Sequence, residues 1–421
     1  MSESLPSTLI DDLAERFKVP SLSQVGKLMQ DSLTQLKTLG LPGKHLEHFK
    51  YTNVSKELPE TFKAPEVDDA HSTLKIPMAH KIVLVNGHVT HCDEIPGVAV
   101  HIEDPLQERS GVQLSIQERD GLGHLHWSSL QRVLLITIDS KIRLEHPIFI
   151  QHIFTKKANH RLSSARIVIN ALKYSDAQVV EHIEGHDNHQ TWSLLGTEIN
   201  IESTARLTHV QIASDFKSGL IYQNLKAHLG RDSYFNSFGM NLNGQLARRD
   251  VQVNLNEENA TAHVNGLFAV KKHEHTDIDC IINHNAPHTF SDQLYKGLAS
   301  DKGHGIFTGK IVVHRDAQKV DSAQLSKNLL LSKLAHIDAR PQLEVYADDV
   351  KCAHGATIGQ LSEDELFYLM SRGIHQKDAA KILANAFVQE AMNKIGQDEI
   401  IRLSSEYLKS RFNIEEEGEK S

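Results

Sequence analysis

Asp250-Val-Gln-Val-Asn-Leu255 and Asp277-Ile-Asp-Cys-Ile-Ile282 are the two stretches on which the reading of the fold turns. In each, polar and apolar residues alternate. Successive side chains of a strand point to opposite faces, so a period of two marks a strand with one face on a core. Arg166-Ile-Val-Ile-Asn170, Thr197-Glu-Ile-Asn-Ile-Glu202 and Lys310-Ile-Val-Val-His314 repeat the pattern, each bounded by Gly, Asn, Asp or Ser as strands are. No strong helical spacing interrupts the region from about Ile82 to Ile358, which is therefore read as an all-β body of many short strands.

Short strands suit a β-sandwich as well as a solenoid. A weak repeat favours the solenoid: Gly244, Gly266, Gly297 and Gly309 each follow the pattern of a glycine at a turn between strands. Gly244 and Gly266 lie 22 residues apart, close to one coil of a parallel β-solenoid, although the next intervals, 31 and 12, are irregular. Stacked coils share a core with their neighbours, so each needs few apolar residues. A chain that is 40% hydrophobic and only 6% aromatic fits that economy. The predicted class is mainly β, a right-handed parallel β-helix over residues 79–360.

Both ends read as helical. Ser21 is placed to cap a helix in which Val25, Leu28, Met29, Leu33 and Leu36 recur at helical spacing, with Gly40 and Pro42 ending it. A shorter amphipathic stretch with Leu9, Leu13 and Phe17 precedes it, and Pro59–Met78 reads as a linker, so residues 1–78 form an N-terminal helical domain and linker. At the other end Ser362-Glu-Asp-Glu365 is a capping box. Three helices follow within 361–421, with breaks at Gly373 and Gly396, and the acidic tail Glu415–Ser421 frays.

The formal net charge of −9 argues against a nucleic-acid partner, which a basic face would serve. No apolar run approaches the roughly 20 residues that span a bilayer. Met1–Ile10 lacks the charged and apolar regions of a signal peptide, so the expected location is cytoplasmic. Cys92, Cys280 and Cys352 are scattered, with no C-x-x-C pair, and a cluster-holding protein usually offers four thiolates. The expectation is a chain with no stably bound cofactor of its own.

Candidate chemistry is sparse. Gly303-His-Gly-Ile-Phe-Thr-Gly-Lys310 resembles a phosphate loop only superficially, because the glycine spacing is wrong and Ile311 stands where a hydroxyl would bind magnesium. Among 27 histidines, the pairs His124/His126, His273/His275 and His284/His288 have spacings a metal could use, yet none joins a third ligand at a recognised spacing. They read as surface or strand-face residues. Cys280 reads as a small buried hydrophobe and Cys92 as a loop thiol. Cys352 and His354 differ: a thiol and an imidazole two apart fall on one side of an extended segment, Lys351 could favour thiolate, and Gly355 and Gly359 would admit a partner's backbone. They fill half a tetrahedral site, so the missing ligands must come from another chain.

Pro341-Gln-Leu-Glu-Val-Tyr-Ala-Asp-Asp-Val-Lys-Cys-Ala-His-Gly-Ala-Thr-Ile-Gly359, followed by Leu366-Phe-Tyr-Leu-Met-Ser-Arg-Gly-Ile374, closely resembles the C-terminal signature of the SufB/SufD family. Glu47-His-Phe-Lys-Tyr-Thr52 resembles the family's Glu-x-Trp-Lys-Tyr-Thr element, with Phe49 where Trp is usual. Within the family the chain looks like the SufD branch: Ala323–Ser332 lacks the late-strand cysteine of the SufB branch. The resemblance implies a non-catalytic subunit of the Suf iron–sulfur cluster assembly complex, with a SufB-type paralogue and a SufC-type ATPase as partners and a role supporting iron acquisition. A transient cluster or iron would be held at the SufB–SufD seam by His354, with Cys352 beside it. Leu366, Phe367, Tyr368, Arg372 and Gly373 would belong to the part that docks the ATPase. Edge strands near residues 343–355 would pair the two solenoids end to end, and a homodimer is open to the isolated chain. The competing readings are a structural solenoid adaptor without metal chemistry and a β-helix carbohydrate-active enzyme, which would need an acidic calcium cluster that the sequence does not show.

Overall fold

The computed structural model describes residues 6–18, 23–72, 74–106, 116–185, 190–214, 216, 218–242 and 244–411. The chain climbs through two stacked sheets, alternating between a ten-stranded and a nine-stranded one, so that each strand hydrogen-bonds to the strand one coil away. From Arg132–Ile138 and Ile148–Phe154 onward all pairing is parallel, which makes the body a parallel β-helix. The first coil is closed by two short antiparallel strands, His88–Cys92 and Val98–Glu103. The last coil, His336–Val345 and Lys351–Gln360, pairs on one side only.

The coil length is not 22 residues. Tyr234 pairs with Thr261, Thr261 with Phe290, Phe290 with Asp321 and Asp321 with Lys351, offsets of 27, 29, 31 and 30. Gly266, Gly297 and Gly309 sit inside strands and not at turns. Their missing side chains make room for adjacent coils: a Cβ on Gly266 would come within 2.3 Å of the Tyr295 ring of the next coil, and one on Gly297 within 2.3 Å of Phe268 of the coil before. Many of the turns instead carry one non-glycine residue at positive φ, at Tyr174, Thr204, Asp232, Asn259, His288 and Lys319 in successive coils.

Three apolar layers result. Between the sheets lie Ile167, Ile199, Leu225, Val253, Ile282 and Phe307. Outside the ten-stranded sheet, Phe238, Met240, Leu267 and Leu298 pack against Val388, Ala391, Met392 and Ile395 of the C-terminal helices. Outside the nine-stranded sheet, Leu194, Leu220 and Tyr222 share a cluster with Met29 and Leu33 of the N-terminal helices and with Trp127 further along the chain. The helix Gln24–Leu39 is capped by Ser23, whose hydroxyl accepts from Gly26 N at 2.8 Å; Ser21 lies outside the described residues. Gly40 ends that helix at φ 67°.

A helix does occur inside the β body, contrary to the sequence reading. Gly121–Ser129 is capped by Asp120 and buried along its whole length, so it shows no amphipathic stripe. It lies so close to the sheet that a Cβ on Gly196 would meet His126 at 2.4 Å and Arg166 at 2.8 Å. At the C-terminus, Ser362 accepts from Glu365 N at 3.3 Å to start Glu363–Ser371, followed by Gln376–Met392 and Asp398–Arg411. Glu415–Ser421 lies outside the described residues. No described helix is long and apolar enough to cross a membrane.

Candidate functional site at the open end

Lys351–Gln360 is the edge strand of the ten-stranded sheet, in register with Asp321–Leu330, so that Cys352 stacks on Ser322 and His354 on Gln324. Stacked residues of a parallel ladder share a face. Gln324 faces the interior, since its amide nitrogen occupies the space above Gly309 of the opposite sheet. Ser322 continues the same interior line, its hydroxyl 2.6 Å from that of Ser291, which in turn lies 2.9 Å from His284 Nε2. Cys352 and His354 are therefore the last rungs of two polar ladders that run inside the solenoid. They reach the surface only because no further coil covers them.

The two rungs differ in environment. Cys352 is half-buried against a small terminal core of Ile311, Val313, Ala317, Val320 and Ala347, while His354 is exposed. Burial, helped by Asp321, raises the Cys352 thiol above its ordinary range. The shift runs against the thiolate expected from Lys351, because burial and the Asp321 carboxylate both oppose the charged form. A Cβ on Gly355 would only touch Leu325 at 3.5 Å and one on Gly359 would meet nothing within 4 Å, so the outer end of this strand is open space.

Past the strand, the surface turns apolar. Among the described residues thirteen large hydrophobic side chains are exposed, and eight of them fall between Leu334 and Ile382. Val345, Tyr346 and Ile358 belong to the last coil. Phe367, at 73% exposure, Tyr368 and Met370 belong to Glu363–Ser371, a helix with no buried residue. Leu366 is half-buried there, and Arg372 stacks over the Tyr368 ring at 5.1 Å before Gly373 turns the chain at φ 88°. The next helix is held tightly by contrast: Lys296, 2% exposed, bonds Glu390 at 2.6 Å and lies over the Phe387 ring.

The Glu47–Thr52 segment works as a latch across the nine-stranded sheet. Glu47 accepts from Arg340 at 2.6 Å, Thr52 bonds His275 at 2.9 Å and donates to Asp277, and the His48 carbonyl accepts from Arg248 at 2.8 Å. Phe49 is fully buried with the Arg248 guanidinium 4.4 Å from its ring, a cation–π contact that any aromatic residue would keep. Arg248 also meets Asp250 at 2.6 Å, Asp277 at 2.6 Å and Asp279 at 3.4 Å. Burial opposes its charge, but the carboxylates outweigh burial and hold its pKa well above the ordinary value. Sequence reading missed this network because Asp277 and Asp279 lie one coil away from Arg248 and Asp250.

The other residues singled out from sequence take structural places. His124 bonds Ser32 at 3.1 Å and His126 bonds the Ala165 carbonyl at 3.1 Å, on different sides of their helix. His284 is satisfied by Thr289 at 2.7 Å and Ser291, while His288 sits in a turn. Cys280 is buried in a strand with its thiol pushed up by burial. Cys92 is exposed on the short strand His88–Cys92 and not in a loop. The loop-like 303–310 segment is mostly the strand His304–Val313.

A parallel β-helix whose last coil is uncovered offers two unpaired strand edges at one end. The family model of the SUF system FeS cluster assembly SufBD core domain matches residues 153–387, and the chain belongs to that SufB/SufD family. It is similar to the iron–sulfur cluster assembly protein SufD of Escherichia coli, 32% identical over 86% of this chain and 87% of that one. SufBD family proteins of Synechocystis and Mycobacterium leprae are 26% and 27% identical, over 87% and 72% of the chain and 86% and 80% of their own lengths.

Proposed function

We propose that this chain is a SufD-type scaffold subunit in iron–sulfur cluster assembly, without a catalytic centre of its own, that pairs through its open last coil with a SufB-type paralogue and carries a SufC-type ATPase on its C-terminal helices. The observation that supports it most is the uncovered coil: two ten-residue edge strands end the solenoid with interior-facing Cys352 and His354 at the surface. An unpaired edge is a template for another strand, and a partner of the same fold would continue both sheets and close over both side chains.

The cluster is cargo in this reading. His354 and Cys352 furnish one nitrogen and one sulfur of the four donors a tetrahedral iron takes, and the partner and sulfide furnish the rest. The raised Cys352 thiol stays protonated until iron displaces the proton, which keeps it unreactive in the free chain. The exposed apolar stripe Phe367, Tyr368 and Met370 serves as the ATPase dock. Nucleotide turnover can open the seam only by favouring one of its two states through differential contact. The site is assembled in the cytoplasm.

Ile358→Glu tests the pairing. Ile358 is 47% exposed on the edge strand, so a charge there leaves the free chain stable to within about 0.5 kcal/mol. It would bury an unpaired carboxylate in the seam and is expected to abolish a complex with the SufB-type partner in size-exclusion chromatography with light scattering. An undiminished complex would contradict pairing through this edge.

A further inference from the structure

His275, His304 and His336 occupy the same rung position in three successive coils of the nine-stranded sheet, on its outer face. Adjacent imidazoles are close, with ring centroids 4.9 Å apart for His275 and His304 and 5.1 Å for His304 and His336. Asp338 lies two residues beyond His336 on the same strand and so on the same face. One oxygen of its carboxylate, Oδ2, is 2.8 Å from His304 Nε2 and 3.2 Å from His336 Nε2. Both imidazoles thus aim the same nitrogen at one point.

We propose that His304, His336 and Asp338 form a binding site for one divalent first-row transition-metal ion. The three ligand atoms lie within 4.8 Å of one another. Donors about 2.1 Å from an ion and at right angles sit about 3.0 Å apart, which is the spacing of the carboxylate oxygen from each imidazole. Two neutral imidazoles and one carboxylate on a single face are the donor set that suits ferrous iron, cobalt or zinc and leaves coordination positions free. The surroundings fit: His275 and Tyr51 wall the inner side with aromatic edges, His275 itself being tied to Thr52. His336, 65% exposed as a side chain, leaves the outer side open for entry.

The site is separate from Cys352 and His354. His336 begins its strand on the outer face, whereas His354 stacks on Gln324, which lies against Gly309 inside the solenoid, level with Pro341 and so five residues or roughly 17 Å along the strand. It also escapes sequence inspection, because its two histidines are 32 residues apart and only the coil repeat brings them together.

Cobalt(II) chloride titrated into the purified full chain, followed by visible absorption and calorimetry, tests the site. The wild-type chain is expected to take up one ion with a ligand-field spectrum of nitrogen and oxygen donors. Asp338→Asn, which keeps the shape, and His336→Ala, at an exposed position that leaves the fold intact by circular dichroism, should each weaken binding at least about tenfold. The double variant Cys352→Ser with His354→Ala should bind as the wild type does. Absence of saturable binding by the wild type, unchanged binding by Asp338→Asn, or equal loss in the Cys352/His354 variant would each overturn the assignment.

Discussion

The strands His275–His284 and Lys351–Gln360 have the same length and belong to the same solenoid, yet seven residues of the first are buried and the other three half-buried, while eight of the second are exposed and only Cys352 and Gly355 are half-buried. The interior strand is held by coils on both sides, by Asp277 and Asp279 in the Arg248 network and by Cys280 and Ile282 in the core. The last strand has a neighbour on one side only. Interior coils are thus specified by their own packing, whereas the last coil keeps polar ladder residues at a surface that only another chain can close. Stability should reside in the first region and association in the second.

Arg248→Ala is the largest expected blow to the interior. It would leave Asp277 buried without its counter-charge and Asp250 and Asp279 with Arg119 alone, and cost about 3–5 kcal/mol in urea unfolding. Lys351→Ala, on the exposed edge, should change stability by less than about 0.5 kcal/mol. A cost for Arg248→Ala below about 1 kcal/mol would dissolve the contrast.

Acid should act on the same packed part. Burial, with Arg166 nearby, lowers the pKa of His126 from 6.5 to about 3, and burial alone lowers that of His284 to about 4. Folding keeps both rings neutral, while the unfolded chain protonates them near 6.5. The stability they permit is present above that pH and is lost as pH falls toward the folded values. At pH 5 the loss is about 2 kcal/mol for each ring, and denaturation at pH 7 and 5 reads it directly. His284→Gln should flatten the dependence by about half, and a slope unchanged by it would mean other groups carry the effect.

Phe367→Ala moves the test to the association side. At 73% exposure Phe367 contributes little packing, so the free chain should lose less than about 0.5 kcal/mol. An interface anchor costs about 2 kcal/mol or more when truncated, so affinity for the ATPase should drop on the order of thirtyfold in a calorimetric titration. Lost stability with intact affinity would reverse the roles assigned to Glu363–Ser371 and Gln376–Met392.

The same contrast explains what the sequence made legible. All five alternating segments recognised from sequence, including Arg166–Asn170 and Lys310–His314, fall in the nine-stranded sheet. Its outer face is polar at Arg248, Asp250, Asp277 and Asp279 and its inner face apolar, so the period of two stands out even though the charges are buried. The ten-stranded sheet hides its period, because Phe238, Met240 and Leu267 face the C-terminal helices while Glu181, His209 and Gln211 are polar within. The true coil length was available in asparagine pairs, since Asn254 bonds Asn283 and Asn256 bonds Asn285 across 29 residues. Glycine spacing misled because those glycines answer to bulky neighbours in adjacent coils. Of the candidate site, the Cys352–His354 pairing on one face was readable from a spacing of two, and the Arg248 latch was not, because its partners are brought together only by stacking.

The measurement closest to the central claim is cluster assembly by a reconstituted complex of this chain with SufB-type and SufC-type partners, comparing wild type with His354→Ala and following iron–sulfur absorption and acid-labile sulfide. His354 is exposed, so its loss should shift stability by roughly 0.5 kcal/mol or less and leave the complex intact. Assembly should be abolished or crippled, Cys352→Ala should be milder, and His354→Cys should restore part of the yield because a thiolate can bind iron there. Full assembly by His354→Ala in an intact complex would contradict the account and leave the open end as a joining surface alone.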